Sequence, residues 1–297
     1  MRNKKLYYSL TLLLAFCLSS SAFAANFYQA KKLRISSEVL SESLSTSNLV
    51  IIDARTPLQY QRGHLPGAVN FPASWSYQSE QSGRLVQPSK MQSIMQNLGI
   101  NTLDKVVIYD DGQLNSATRI FWALEVYGVH HVQVLVEGFK EWKLKRHPVN
   151  QIIPKIDPSE YTPCSNPKVI ANKFNTFTAI YNPFQTIIDT RTVNTHKNNI
   201  SKNHIQTAIN IPISSHFEQY SLQRKLHSVK NLTKLYESVP KTAKTILYGS
   251  KKQGASIHYF ALRELNFNVA IYDGGWQEWS HDPNMTVINP VEGEDQQ

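Results

Sequence analysis

This chain says the same thing twice. Val50-Ile51-Ile52-Asp53-Ala54-Arg55 is answered by Thr186-Ile187-Ile188-Asp189-Thr190-Arg191. Gly63-His64-Leu65-Pro66-Gly67-Ala68-Val69-Asn70 is answered by Asn203-His204-Ile205-Gln206-Thr207-Ala208-Ile209-Asn210. Val107-Ile108-Tyr109 returns as Ile246-Leu247-Tyr248, and Gly138-Phe139-Lys140-Glu141-Trp142 as Gly275-Trp276-Gln277-Glu278-Trp279. Four landmarks in one order, about 137 residues apart, mark a tandem duplication. Whatever fold serves the first half must also serve the second.

The pattern between the landmarks identifies that fold. Leu49 to Asp53 and Val106 to Tyr109 are short apolar runs closing on an acid or an aromatic, as expected of parallel strands covered on both faces. Val132 to Val136 reads as a third such strand. Ser36 or Ser37 can cap a helix reaching Leu44, because a hydroxyl there accepts from free first-turn N–H groups. Pro88 to Leu98 has helical spacing in Met91, Ile94, Met95 and Leu98, and Ala117 to Tyr127 has it in Ile120, Phe121, Leu124 and Val126. Ala54-Arg55 reads as a short polar helix-like stretch, Gly63 to Ala68 as a turn, and Gly138 to Trp142 as a short closing helix. Alternating strands and helices predict an α/β fold with a parallel sheet. Between His147 and Pro167 the periodicity disappears and prolines accumulate, as in an inter-domain linker. The expected organisation is a first domain over 33–147, a linker over 148–167 and a second domain over 168–290.

Residues 1–24 form a separate expectation. Arg2, Lys4 and Lys5 precede an apolar run from Leu10 to Leu18, and Ala22-Phe23-Ala24 supplies a small-residue cleavage pattern, so this segment reads as a secretory signal peptide. Its apolar core is too short to span a bilayer, so no transmembrane span is expected after cleavage and the protein is exported, to a periplasm or outside the cell. Removal takes three bases and no acid from a net charge of +9, leaving about +6. No long basic run with interleaved aromatics accompanies that excess, which argues against a nucleic-acid partner. Cys17 leaves with the signal, so Cys164 is the lone cysteine of the mature chain and has no internal disulfide partner. His64 and His204 have no metal-ligand partner at useful spacing, so no metal and no cofactor is expected. Trp122, Trp142, Trp276 and Trp279 read as packing residues.

The stretch from Thr245 to Ile257 carries the candidate chemistry. An apolar strand stops at Gly249, passes through Ser250, Lys251, Lys252, Gln253 and Gly254, and enters a helical pattern at Ala255. A strand, a tight loop and a helix start direct N–H groups and a positive dipole end at one point, where an anion or a thiolate is stabilised. Lys251 and Lys252 add positive charge there, and Gly249 lets an oxyanion come close to the backbone. The loop contains no cysteine, histidine or acid. Asp53 with Arg55, and Asp189 with Arg191, are supporting residues, expected to pin loops by salt bridge.

Asp53-Ala54-Arg55 with Tyr60, Gly63-His64-Leu65-Pro66-Gly67-Ala68 and the terminal Gly275-Trp276-Gln277-Glu278-Trp279 resemble the rhodanese family. The overall plan, from about Leu33 to Thr286, looks like the tandem-domain thiosulfate and 3-mercaptopyruvate sulfurtransferases. The resemblance implies two domains, each a five-stranded parallel sheet flanked by helices, with a nucleophilic cysteine after the strand Ile246 to Tyr248. Counting back from Ala255-Ser256 puts that position at Gly249, and its first-domain equivalent at Asp110. The chemistry needs cysteine, because a thiolate held by loop N–H groups attacks sulfane sulfur and carries it as a persulfide. Glycine cannot hold one, and Ser250 has no base to activate it. Lys252 stands where many family loops have glycine, and Thr195 where the thiosulfate enzymes have an arginine, whereas Lys251 matches a substrate-binding lysine.

Three functions follow as expectations. The first is a pseudoenzyme that keeps the fold, lacks the nucleophile, and binds a small thiosulfate-like anion or a protein partner. The second is a sulfurtransferase working through a non-standard site, with Cys164 as its thiol. The third is a structural or interaction module with no ligand in the loop.

Overall fold

The computed structural model describes residues 32–79, 82–192, 203–218, 224–250, 255–285 and 287–288. Residues 1–24 and 251–254, and with them Lys251, Lys252, Gln253 and Gly254, lie outside the described residues, as does Thr195. In the first domain the strands are β1 (Arg34–Ile35), β2 (Leu49–Asp53), β3 (Val69–Asn70), β4 (Lys105–Tyr109) and β5 (Val132–Leu135). They form a five-stranded sheet in the order β1-β5-β4-β2-β3, all neighbours parallel. The second domain has β6 (Ile170–Ala171), β7 (Gln185–Asp189), β8 (His204–Ile205), β9 (Ile209–Asn210), β10 (Lys244–Tyr248), β11 (Val269–Tyr272) and β12 (Val287–Ile288). Its sheet runs β6-β11-β10-β7-β9, the same order again and again parallel, while β8 and β12 make a separate antiparallel pair. The central strands are apolar because helices cover both faces: Val106 to Tyr109 and Thr245 to Tyr248 are buried throughout.

Local chemistry fixes the helix ends. Ser36 accepts from Val39 N–H at the start of Ser37–Ser43. The expected helical turn at Ala54-Arg55 instead begins at Pro57 and runs to Gln61, because Thr56 and Gln59 form a capping box and Pro57 takes the first helical position. Helices Asn115–Val126 and Ala255–Glu264 follow β4 and β10 and are buried along most of their length.

These two helices also join the domains. Phe121 meets Phe260 edge-to-face at 5.2 Å, and the Thr118 and Ser256 hydroxyls lie 3.0 Å apart. Further along, Glu125 accepts from the Tyr259 hydroxyl at 2.6 Å and from Arg263 through two bonds of 3.0 Å. Thr118 with Ser256 and Glu125 with Arg263 are counterparts in the duplication, so the contact is a near-symmetric self-pairing of one ancestral helix face. One apolar core runs through it, with Trp122, Tyr259 and Phe260 all fully buried. Burying each of these aromatic side chains contributes about 1.5–3 kcal/mol.

From residue 151 to 166 the chain forms no helix or strand. It is strapped to the first domain through Ser159 N–H to Gln96 O and the buried Tyr161 hydroxyl to Tyr127 O.

Candidate functional site

In an open parallel sheet, loops leaving the carboxyl ends of the strands build the sites. Here the two loops after β4 and β10 begin alike. Asp110 O accepts from Phe139 N–H at 2.7 Å, and Gly249 O accepts from Trp276 N–H at 2.9 Å. Both donors follow a glycine at positive φ, Gly138 at 69° and Gly275 at 58°. A Cβ on Gly275 would come within 2.8 Å of Gly249 O, and one on Gly138 still closer to Gly112, so only glycine permits the approach. This shared frame makes Gly249 the counterpart of Asp110.

Beneath each loop sits the same buried ion pair. Arg55 Nε donates to Asp53 Oδ1 at 2.9 Å, while its Nη2 donates to Asp53 Oδ2 and, at 2.8 Å, to Gly63 O. Arg191 repeats this with Asp189 Oδ1 at 3.0 Å, Oδ2 at 2.7 Å and Asn203 O at 2.8 Å. Each guanidinium lies over an aromatic ring, Phe139 at 3.7 Å and Trp276 at 4.1 Å. The Tyr109 hydroxyl donates to Asp53 at 2.6 Å and that of Tyr248 to Asp189 at 2.8 Å. Burial, then the adjacent aspartate, pushes both phenols above the usual tyrosine range, keeping them as donors. The two arginines are occupied by protein groups and pin the turns at Gly63 and Asn203. Trp276 is half-buried and stacks on Arg191, whereas Trp122, Trp142 and Trp279 are fully buried.

Two further residues belong to this network and were not singled out from the sequence. Asn70 Nδ2 donates to Asp53 O and Arg55 O, and Asn210 Nδ2 to Asp189 O and Arg191 O, at 2.9 to 3.0 Å. Their signal was available, since an asparagine closes both copies of the second landmark.

Above the ion pairs the loops part company. In the first domain the Asp110 carboxylate turns back into its own loop and accepts from four N–H groups: Gly112 and Leu114 on Oδ1, Ser116 and Ala117 on Oδ2, at 2.8 to 3.1 Å. Burial raises this carboxyl above its usual range, and the N–H donors work against that rise. A cleft of about 250 Å³ opens beside it, with Thr56, Gln59 and Ser74 among its walls. In the second domain Gly249 offers no carboxylate. Ser250 is exposed, Ala255 is half-buried at the helix start, and Ser256 is engaged by Thr118.

The first domain closes one side of this region. Leu85 N–H donates to both oxygens of Asp273, at the end of β11 beside β10, and Arg84 pairs with Glu278. Arg119 is buried against the rings of Tyr77 and Trp122 and bonds Ser76 and Gly83. Cys164 is elsewhere. It is exposed, and its N–H donates to Tyr127 O, just past the far end of helix Asn115–Val126. Twelve residues of helix place that end about 18 Å from the end carrying Thr118. His64 is buried, stacked on Tyr60 at 3.9 Å, with its ring nitrogens on Tyr60 O and Ile152 O. Among the described residues no group of three or more His, Cys, Asp or Glu could hold a metal ion, and no helix is long and apolar enough to cross a membrane.

Comparison with known proteins bears directly on this geometry. The model of the rhodanese-like domain matches residues 36–145 and again residues 175–282. Over 275 residues the chain is 25% identical to the 3-mercaptopyruvate sulfurtransferase of Escherichia coli K12, covering 85% of this chain and 96% of that one. It is 31% identical over 261 residues to a Synechococcus elongatus protein named for thiosulfate sulfurtransferase, covering 81% and 80% respectively. The crystal structure of SseA from Escherichia coli, a 3-mercaptopyruvate sulfotransferase, superposes with a TM-score of 0.73 at 25% identity over 83% of this chain and 99% of that one. The structure of EanB, at 18% identity, shares the fold with a TM-score of 0.76, over 88% of this chain and 70% of its own.

Proposed function

The chain belongs to the rhodanese-like family, with two such domains in tandem, and from that premise we propose that it is an exported pseudoenzyme that binds a small anion where its relatives transfer sulfur. The observation carrying this reading is the equivalence of Gly249 with Asp110, held by the same carbonyl contact at the end of the same strand. A persulfide needs a side-chain sulfur at that position, and glycine has none. Ser250 stands in a loop whose sequence holds no cysteine, histidine or acid to activate its hydroxyl.

What remains is a strand-to-helix loop with Lys251 and Lys252 in its sequence. Thiosulfate, named by one class of relatives, and sulfate of similar shape are the ligands that such a loop suits. The reading through Cys164 is disfavoured by its place at the far end of helix Asn115–Val126. The export reading rests on the signal-peptide pattern of residues 1–24.

Sulfur transfer to cyanide from thiosulfate and from 3-mercaptopyruvate tests the proposal, run on the wild type, Cys164→Ala and Gly249→Cys. The wild type and Cys164→Ala should stay at background. Turnover by the wild type at the rate of ordinary sulfurtransferases would refute the pseudoenzyme reading, and its loss in Cys164→Ala would transfer the chemistry to that thiol.

A further inference from the structure

We infer that the strip from Lys140 to Lys155, at the end of helix Gly138–Leu144 and the start of the connecting segment, docks on an anionic lipid surface. The strip carries five Lys or Arg and one acid, Glu141. Lys145 is engaged by Glu38 and Glu137 at 2.8 Å, so its charge is spoken for. Lys140, Lys143 and Arg146 are exposed and form no ion pair among the described residues.

Between these bases stand large apolar side chains turned to solvent: Leu144 is 64% exposed, Ile152 74% and Ile153 67%. Single exposed apolar residues are ordinary, but here these three stand within one sixteen-residue strip that also carries exposed bases. The backbone holds them in place. His64 and Asn150 exchange two main-chain bonds of 2.9 and 3.0 Å, Gln151 donates to Arg62 O at 3.2 Å, and Val149 packs over Gly63. Arg62, exposed, adds a further base beside the strip.

The residue types favour lipid over protein. Protein interfaces are depleted in lysine and anchored by exposed aromatics. This strip is lysine-rich, and its one aromatic besides His147, Trp142, is fully buried. Apolar tips framed by bases suit a headgroup layer, where the tips enter the acyl boundary and the bases meet anionic phosphates.

The test is co-sedimentation with phosphatidylglycerol-containing vesicles and with pure phosphatidylcholine vesicles, using the chain from residue 25 onward, which contains every described residue. The protein should partition onto anionic vesicles, weaken with salt, and ignore neutral ones. Lys143→Gln/Arg146→Gln should lower the partition coefficient about twentyfold, and Ile152→Ser/Ile153→Ser about tenfold, with unchanged melting temperatures because all four side chains are exposed. No partition onto anionic vesicles, equal partition onto neutral ones, or partition unmoved by both double variants would overturn the proposal. Tighter binding to soluble poly-glutamate than to the anionic vesicles at equal charge would also overturn it, in favour of an acidic polypeptide partner.

Discussion

The loops after β4 and β10 leave equivalent strands, are held by equivalent carbonyl contacts and rest on equivalent buried ion pairs. One begins with a carboxylate that accepts four of its own N–H groups, and the other begins with a glycine. Duplication thus provides an internal control. The first copy shows what the loop frame is suited to hold, a compact anion bonded by backbone N–H groups. The second copy keeps the Gly249 carbonyl contact and the ion pair beneath it, and has no carboxylate at that position. The ion pairs beneath stabilise the turns in both copies, Arg55 holding Gly63 O and Arg191 holding Asn203 O.

The largest expected effects come from what the copies share. Asp53→Ala and Asp189→Ala each strand a buried arginine, and each should cost about 3–5 kcal/mol in denaturant unfolding. Unequal losses, with one near zero, would show that the two ion pairs are not equivalent. Next comes the point of divergence. Asp110→Ala leaves four N–H groups without their acceptor and should cost about 2–3 kcal/mol, whereas Gly249→Ala should stay within about 1 kcal/mol of wild type. Equal effects at the two positions would mean that Asp110 does not fill its loop.

A smaller contrast concerns pH. His216 is fully buried in the second domain, with its Nε2 2.6 Å from the Tyr236 hydroxyl and its ring 4.1 Å from that of His258. Its counterpart in the first domain is Ser76. Burial, and then His258, hold His216 well below the usual imidazole value of 6.5. The unfolded chain therefore takes the proton first, so this contribution to stability is full above about pH 6.5 and is lost as pH falls through it, by up to about 1.4 kcal/mol per pH unit. Unfolding free energies measured across that range should slope accordingly, and His216→Gln should flatten the slope. A slope unchanged in the variant would assign it to other groups.

Much of the fold was legible because its signals are local and repeated. The strand at Leu49–Asp53, the cap at Ser36 and the helix entered at Ala255 follow from apolar runs, a hydroxyl and a glycine-bounded loop. The Asp–Arg pairs were legible for the same reason, lying two residues apart in each copy. What was not legible depends on distance in sequence. The Glu125–Arg263 pair spans 138 residues, and the two-residue strands β8 and β12 are too short to show a period. The role of Asp110 was hidden as well, because an acid after a strand does not announce that its oxygens will turn back onto four N–H groups.

The anion-binding proposal turns on Gly249, which has no side chain where Asp110 brings a carboxylate in the first domain. Calorimetric titration of thiosulfate into the wild type and into Gly249→Asp tests it most directly. The wild type should show one binding event and the variant none, its new carboxylate occupying the loop. No heat in the wild type, or the same affinity in both proteins, would contradict it.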